Sequence, residues 1–186
     1  MKTADSTLDT KATLVGGGVD GSGATKPTVT VQNGKVTVEA AANTTPGEYT
    51  ATVKDAEGSF HVLRITVVGK FTVPTLTAAN TPARSGQSVE VATVSNWVTV
   101  KEEIKQATGK EATKDDVKVE LEAGSATDIK DKVTEVVFDP VTGKVNAKIA
   151  TGATASGKFK VKVTVKAVEG KRLETSSDAT EVTAHA

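Results

Sequence analysis

The stretch Gly157-Lys158-Phe159-Lys160-Val161-Lys162-Val163-Thr164-Val165-Lys166-Ala167 decides how the chain is to be read. Phe159, Val161, Val163, Val165 and Ala167 fall on one face of an extended segment, and Lys158, Lys160, Lys162, Thr164 and Lys166 fall on the other. This is the period of a half-buried β-strand with a lysine-rich outer face. Shorter runs with the same alternation flank it. Val133 to Asp139 and Lys144 to Ala150 are separated by the turn Pro140-Val141-Thr142-Gly143, Val117 to Leu121 lies upstream, and Glu181 to Ala184 closes the sheet.

Composition supports the same class. Aromatic residues are 3% of the chain, so the core is built from Val, Ile, Leu and Ala, and the β-branched Thr and Val that suit strands are abundant. With so few aromatics there is no base-stacking platform, and a formal net charge of +0 argues against nucleic acid as a partner. The absence of cysteine excludes disulfides, thiolate metal sites and cysteine nucleophiles. No apolar run approaches the roughly 20 residues of a membrane-spanning helix, and the polar start Met1-Lys2-Thr3-Ala4-Asp5-Ser6 is not a signal peptide.

One helix is expected, near residues 99–109. Thr99 stands as N-cap with Glu102 completing a capping box; Val100, Ile104 and Ala107 share a face, and Gly109 ends it. At about ten residues it must pack on a sheet to persist. Thr113-Lys114-Asp115-Asp116 opens a second helical start, and Asp128 to Lys132 a further turn. The acidic pairs Glu102-Glu103 and Asp115-Asp116 read as partners of helix N-termini rather than as paired catalytic acids.

The N-terminal half is a meander. Ala12 to Val15 forms a short strand and Gly16 to Gly23 a loop; Val29 and Val31, then Val36 and Val38, alternate around Asn33-Gly34, the strongest short hairpin signal. Tyr49 to Lys54 and Phe60 to Val68 follow around the turn Asp55-Ala56-Glu57-Gly58. Val73-Pro74-Thr75 and Thr81-Pro82-Ala83-Arg84-Ser85-Gly86 mark a connection. The expected organisation is a module over 1–72, a linker or edge segment over 73–90 and a second module over 91–186.

Pro46-Gly47-Glu48-Tyr49-Thr50-Ala51-Thr52-Val53-Lys54-Asp55 resembles the entry to the sixth strand of immunoglobulin-like domains, as found in bacterial surface proteins with repeated modules of this kind. The resemblance implies that Tyr49 is structural, its hydroxyl capping a corner, with Ala51 where antibodies hold Cys. At about 70 residues the first module is short of the ≈ 100 of a seven-strand sandwich. The signals also repeat. Gly34-Lys35-Val36 returns as Gly143-Lys144-Val145, and Gly47-Glu48-Tyr49 as Gly157-Lys158-Phe159, at offsets of 109 and 110 residues. Phe159 therefore stands where Tyr49 stands. The fold expected is mainly β: two tandem immunoglobulin-like β-sandwich or meander modules, the second α+β.

Residues 97–168, with Thr99-Val100-Lys101-Glu102-Glu103-Ile104-Lys105 and the lysine-faced strand, resemble the spiralin family of surface lipoproteins of helical wall-less bacteria. This resemblance implies an extracellular protein of the bacterial surface, held by a lipid anchor outside this sequence. Its partners would be host-surface glycans or proteins, or copies of itself in an array.

Catalytic signals are thin. His61 shares a strand face with Ser59, but neighbours on a strand point in parallel, and His185 is nearly terminal. No catalytic, cofactor-binding or metal-ligating set is read, and the glycine-rich loop fits neither phosphate-binding fingerprint. A Lys–Asn isopeptide crosslink at Asn146 is disfavoured because Asn146 alternates outward. Two surfaces are candidates for partner contact. Lys158, Lys160, Lys162 and Lys166 either dock on an anionic surface or protect an edge and keep the chain soluble. Trp97 is either a stacking residue or a core residue. The function expected is a non-catalytic structural or adhesive surface module, with a virion or surface-layer spacer and a carbohydrate-binding accessory module as alternatives.

Overall fold

The computed structural model describes residues 12–16, 18–80, 83–152 and 156–185. The chain divides into two compact units, Met1–Gly69 and Lys70–Ala186. It is mainly β with one α-helix.

Unit 1 contains β1 (Thr13–Leu14), β2 (Thr28–Gln32), β3 (Lys35–Glu39), β4 (Gly47–Lys54) and β5 (Phe60–Val67). Asn33 and Gly34 both take positive φ, 50° and 75°, which is what a two-residue hairpin turn between right-twisted strands requires. β2 and β3 pair in register from Gln32↔Lys35 to Thr28↔Glu39. The chain then crosses to a second sheet of order β1-β4-β5. Alternation buries Tyr49, Ala51 and Val53 of β4 against Val29 and Val36 of the hairpin, in a core that also holds Ile65. Each apolar side chain buried in this way contributes about 1.5–3 kcal/mol.

In unit 2, following the two-residue strand β6 (Gly69–Lys70), the chain forms β7 (Leu76–Ala78), β8 (Ala83–Arg84), β9 (Ser88–Val94), α1 (Trp97–Thr108) and β10 (Val117–Ala123). The remaining strands are β11 (Val133–Asp139), β12 (Lys144–Ile149), β13 (Gly157–Val165), β14 (Arg172–Leu173), β15 (Thr175–Ser176) and β16 (Thr180–His185). One sheet has the order β11-β12-β9-β7 and the other β10-β13-β16-β8, with β15 also on β13. The first strand is split: β7 runs antiparallel to β9 in one sheet, and β8 runs parallel to β16 in the other. With β7 and β8 as the first strand and β9 as the second, the sheets are first-second-fifth-fourth and third-sixth-seventh. That is the strand order of an immunoglobulin-type sandwich, with α1 inserted between the second and third strands.

The lysine-faced strand is β13, the sixth. Phe159, Val161, Val163 and Val165 are all 0% exposed and pack among Val91, Val145 and Ile149 of the facing sheet. Trp97, Val100 and Ile104 of α1 join this core. Residues 73–90 carry β7, at a sheet edge, β8 and the start of β9, while Thr81 and Pro82 of the expected connection lie outside the described residues.

Several local expectations are corrected. α1 starts two residues before Thr99, so Thr99 and Glu102 lie inside the helix and form no capping box. Asn96 occupies the cap, but its side chain bridges the incoming segment, accepting from the Thr75 N–H at 2.9 Å and donating to the Val73 carbonyl at 2.9 Å. Glu103 is mid-helix and receives the Thr72 N–H and hydroxyl, both at 2.7 Å, rather than complementing a helix N-terminus. A reciprocal capping box does form at Thr113 and Asp116, on the three-residue 3-10 helix Lys114–Asp116. Gly109 ends α1 in the left-handed region, φ 73°, as a C-terminal glycine should. His185 is the last residue of β16, and its carbonyl accepts from the Ser85 N–H, so it is tied into the sheet.

Candidate interaction surfaces

The lysine side chains of β13 project onto the outer face of the sheet, with Glu120 and Glu122 of β10 on one side and Glu181 of β16 on the other. Lys160 lies opposite Glu122 of β10 and Glu181 of β16, and Lys162 lies opposite Glu120. Lys158 donates to Glu181 at 2.7 Å, and Lys118 pairs with Glu120 at 2.7 Å. Lys166 lies beyond the end of β13 and is exposed, its N–H donating to the Asp116 carbonyl. The Lys158 ammonium, with the Ser125 N–H, holds the Glu181 carboxyl down to about 2. Opposite charges placed directly across an antiparallel pair attract and specify register. Of the stripe, Lys158 is ion-paired at contact range, while Lys160 and Lys162 stand opposite carboxylates in the register, which reduces the field the face projects beyond a Debye length of about 8 Å.

Trp97 does not offer its ring to a ligand. It is 3% exposed, its indole N–H donates to the Pro140 carbonyl at 2.8 Å, and its ring meets Phe138 edge-on at 4.8 Å. Gly143, φ 76°, lies so close beneath the indole that a Cβ there would sit 2.5 Å from it. The neighbouring exposed apolar residues are instead Val98 and Val141, each 74% exposed.

Tyr49 is 2% exposed and its hydroxyl donates to the Thr45 carbonyl at 2.6 Å, joining β4 to the residues just before it. The loop 18–26 folds over the ring: a Cβ on Gly23 would lie 1.9 Å from the Tyr49 hydroxyl, and one on Gly21 2.3 Å from its ring. Glycine is therefore required at both places for steric reasons. Phe159 occupies the matching place with no hydroxyl. Tyr49 is paired across the sheet with Ile65 and Phe159 with Val182, both buried. The backbones of Asp20 and Asp128 bridge to Thr50 and Lys158, each next to one of these rings.

His61 approaches Asp55 at 2.9 Å, not Ser59. The Asp55 carboxylate is held below its usual range first by His61 and then by the Ser59 and Glu57 N–H groups, so it organises the β4–β5 turn. Asn146 is on the outer row of β12 beside Glu90, while Val145, Ala147 and Ile149 are buried. Glu90 already pairs with Lys144 at 2.8 Å. The shallow depression beside it, about 480 Å³, is lined by Thr77, Asn80, Val89, Glu90 and Thr93 among others, and in it the Thr93 hydroxyl donates to the Glu90 carboxylate at 2.7 Å.

Sequence reading missed the outer row of β5. Phe60 is 63% and Val62 62% exposed, on the opposite side of the strand from Leu63, Ile65 and Val67, which belong to the core. The signal was present, because Phe60 to Val67 is apolar on both parities.

No protein-family model matches the chain, and no curated protein matches it in sequence. Among solved structures, human protocadherin-24 repeats EC1-2 superpose with a TM-score of 0.40 at 14% identity, covering 95% of this chain and 81% of that one. The protocadherin gamma-B4 extracellular domain gives 0.38 at 14% identity, with 94% of this chain and 26% of that one covered. Mouse cadherin-23 EC22-24 gives 0.31 at 16% identity, covering 94% and 51%. The strand pairing described above, not these superpositions, defines the fold.

Proposed function

We propose that the chain is a non-catalytic structural and adhesive module of the extracellular bacterial surface, the ectodomain of a lipid-anchored protein of the spiralin type. The observation that carries this reading is the tandem repetition of one strand arrangement, with a buried core in each unit and outer faces free to be elaborated. Several titratable side chains serve turns and cross-strand pairs, as Asp55 with His61 and Glu181 with Lys158 do. Such groups hold turns and strands in register, which supports a structural role. The likeness of residues 97–168 to spiralin supports the surface location, and partners would be host-surface glycans or proteins, or further copies of the chain.

The test is labelling of intact cells of the source bacterium with an antibody raised against the chain. Labelling without permeabilisation, removed by external protease, is expected. Labelling only after permeabilisation contradicts a surface role.

A further inference from the structure

In the sheet β11-β12-β9-β7 of unit 2, the alternation of β9 breaks once. Val145 lies opposite Ala92 and Asn146 opposite Glu90, so Val91 is an extra residue without a partner on β12. Val91 and Ala92 are consecutive and both 0% exposed. Residues three apart on a regular strand point to opposite faces, and the bulge cancels that alternation. Glu90 and Thr93 therefore stand together on the outer face, where the Thr93 hydroxyl donates to the Glu90 carboxylate at 2.7 Å.

The neighbouring strand makes room beside this pair. β7 is three residues long and ends at Ala78, opposite Ala92. Ala79 still donates its N–H to the Val91 carbonyl at 2.9 Å, and the next strand, β8, belongs to the other sheet. The two alanines are too small to fill the space, which leaves the depression of about 480 Å³, a size that takes a small ligand. Its lining is mixed. Thr77 and Asn80 add polar groups to Glu90 and Thr93, while the alanines and Val89 supply apolar surface.

The chemistry of the lining narrows the ligand. Lys144 pairs with Glu90 at 2.8 Å and, followed by Thr93, holds its carboxyl below the usual range. These partners take one lone pair on each carboxylate oxygen, and the others remain as acceptors. Among the described residues, the Thr77 hydroxyl and the Asn80 amide have no hydrogen-bond partner. A single carboxylate already paired to a lysine has too few free oxygens to chelate a metal ion, and an acidic ligand would have to lie against its charge. A neutral ring with several hydroxyls and one C–H face matches acceptors, donors and apolar surface together. We propose that this depression binds one neutral hexopyranose unit, with hydroxyls on Glu90, Thr77 and Asn80 and its C–H face on the alanines and Val89. Where such a sugar comes from rests on the adhesive reading above; the binding itself does not.

The test titrates the purified full chain with the methyl glycosides of glucose, galactose and mannose, followed by amide NMR. At least one of them should shift residues 77–80 and 89–93 and saturate with a Kd of about 1 mM, the range of a one-ring ligand in an open site. Methyl glucuronide, in which a carboxylate replaces the primary alcohol of the glucoside, should bind about tenfold more weakly than the neutral sugar. Glu90→Gln should weaken the neutral sugar about tenfold and remove that discrimination. Thr77→Val, on an exposed edge, should also weaken binding while leaving the Trp97 unfolding transition unmoved. The proposal is overturned by the absence of shifts with every neutral sugar at about 50 mM, by shifts centred on another face, or by binding that both substitutions leave unaltered. Surface labelling of cells is unaffected by any of these outcomes, so failure of the sugar site and failure of the surface role are distinguishable.

Discussion

The two units carry the same third-to-seventh strands but differ in what lies beside them. In unit 2 the split strand β7/β8, together with β9 and α1, closes both sheets, and the row Val145, Ala147, Ile149 is buried throughout. In unit 1 the hairpin β2-β3 and the sheet β1-β4-β5 form a smaller core, and burial fades along β3 from Val36 to Ala40. The same sixth-strand position is also solved twice. Tyr49 combines ring burial with a hydroxyl tether to Thr45, whereas Phe159, on a strand paired along both edges, relies on burial alone. A smaller core leans more on one polar tether, because each hydrogen bond is a larger share of a smaller total.

The contrast can be broken first at its two rings. Tyr49 and Trp97 are the only tyrosine and tryptophan, so their fluorescence reports unit 1 and unit 2 separately. Phe159→Ala empties a fully buried site and should destabilise unit 2 by about 3–5 kcal/mol in denaturant unfolding followed at Trp97, leaving the Tyr49 transition in place. Gly23→Ala drives a methyl group into the Tyr49 hydroxyl and should cost unit 1 about 1–3 kcal/mol, seen at Tyr49 and not at Trp97. Tyr49→Phe makes unit 1 resemble unit 2 at this position; loss of the 2.6 Å bond to Thr45 should cost about 0.5–1.5 kcal/mol by circular dichroism. A cost near zero would mean that the tether is dispensable and the contrast between the rings empty.

The smallest effect expected is on pH dependence. Glu181 has its carboxyl lowered in the folded state from 4.5 to about 2, so its contribution is complete above the unfolded value and is lost as pH falls through the folded one. Unit 2 should lose stability between about pH 4.5 and 2, and Glu181→Gln should flatten that part of the profile. The pair is partly open to solvent, so the difference should shrink in high salt.

What the sequence made legible was local. The Asn33-Gly34 hairpin, the turn between β11 and β12 and the alternation of β13 each depend on neighbours within a few residues, and all are found where periodicity placed them. The split strand β7/β8 was not legible, because three-residue and two-residue strands carry no period of their own; Ala83 is a strand residue only because Ala184 lies beside it. The helix start was misplaced for a related reason. Thr99 and Glu102 have cap spacing, but the Asn96 side chain serves Val73 and Thr75, and packing of Trp97 in the core fixes the first turn. The lysine stripe was visible as a pattern, while the carboxylates that face it, Glu120, Glu122 and Glu181, required the strand register.

The most direct test of the difference between the units is native-state hydrogen exchange along β3 and β5 of unit 1 and β12 of unit 2. The pairing among the described residues predicts alternation along β5 and β3, with amides directed at β4 and β2 slow and the intervening ones fast, against uniformly slow exchange along β12 between β11 and β9. Uniformly slow exchange along β3 and β5 would contradict it, since every amide there would then have a partner.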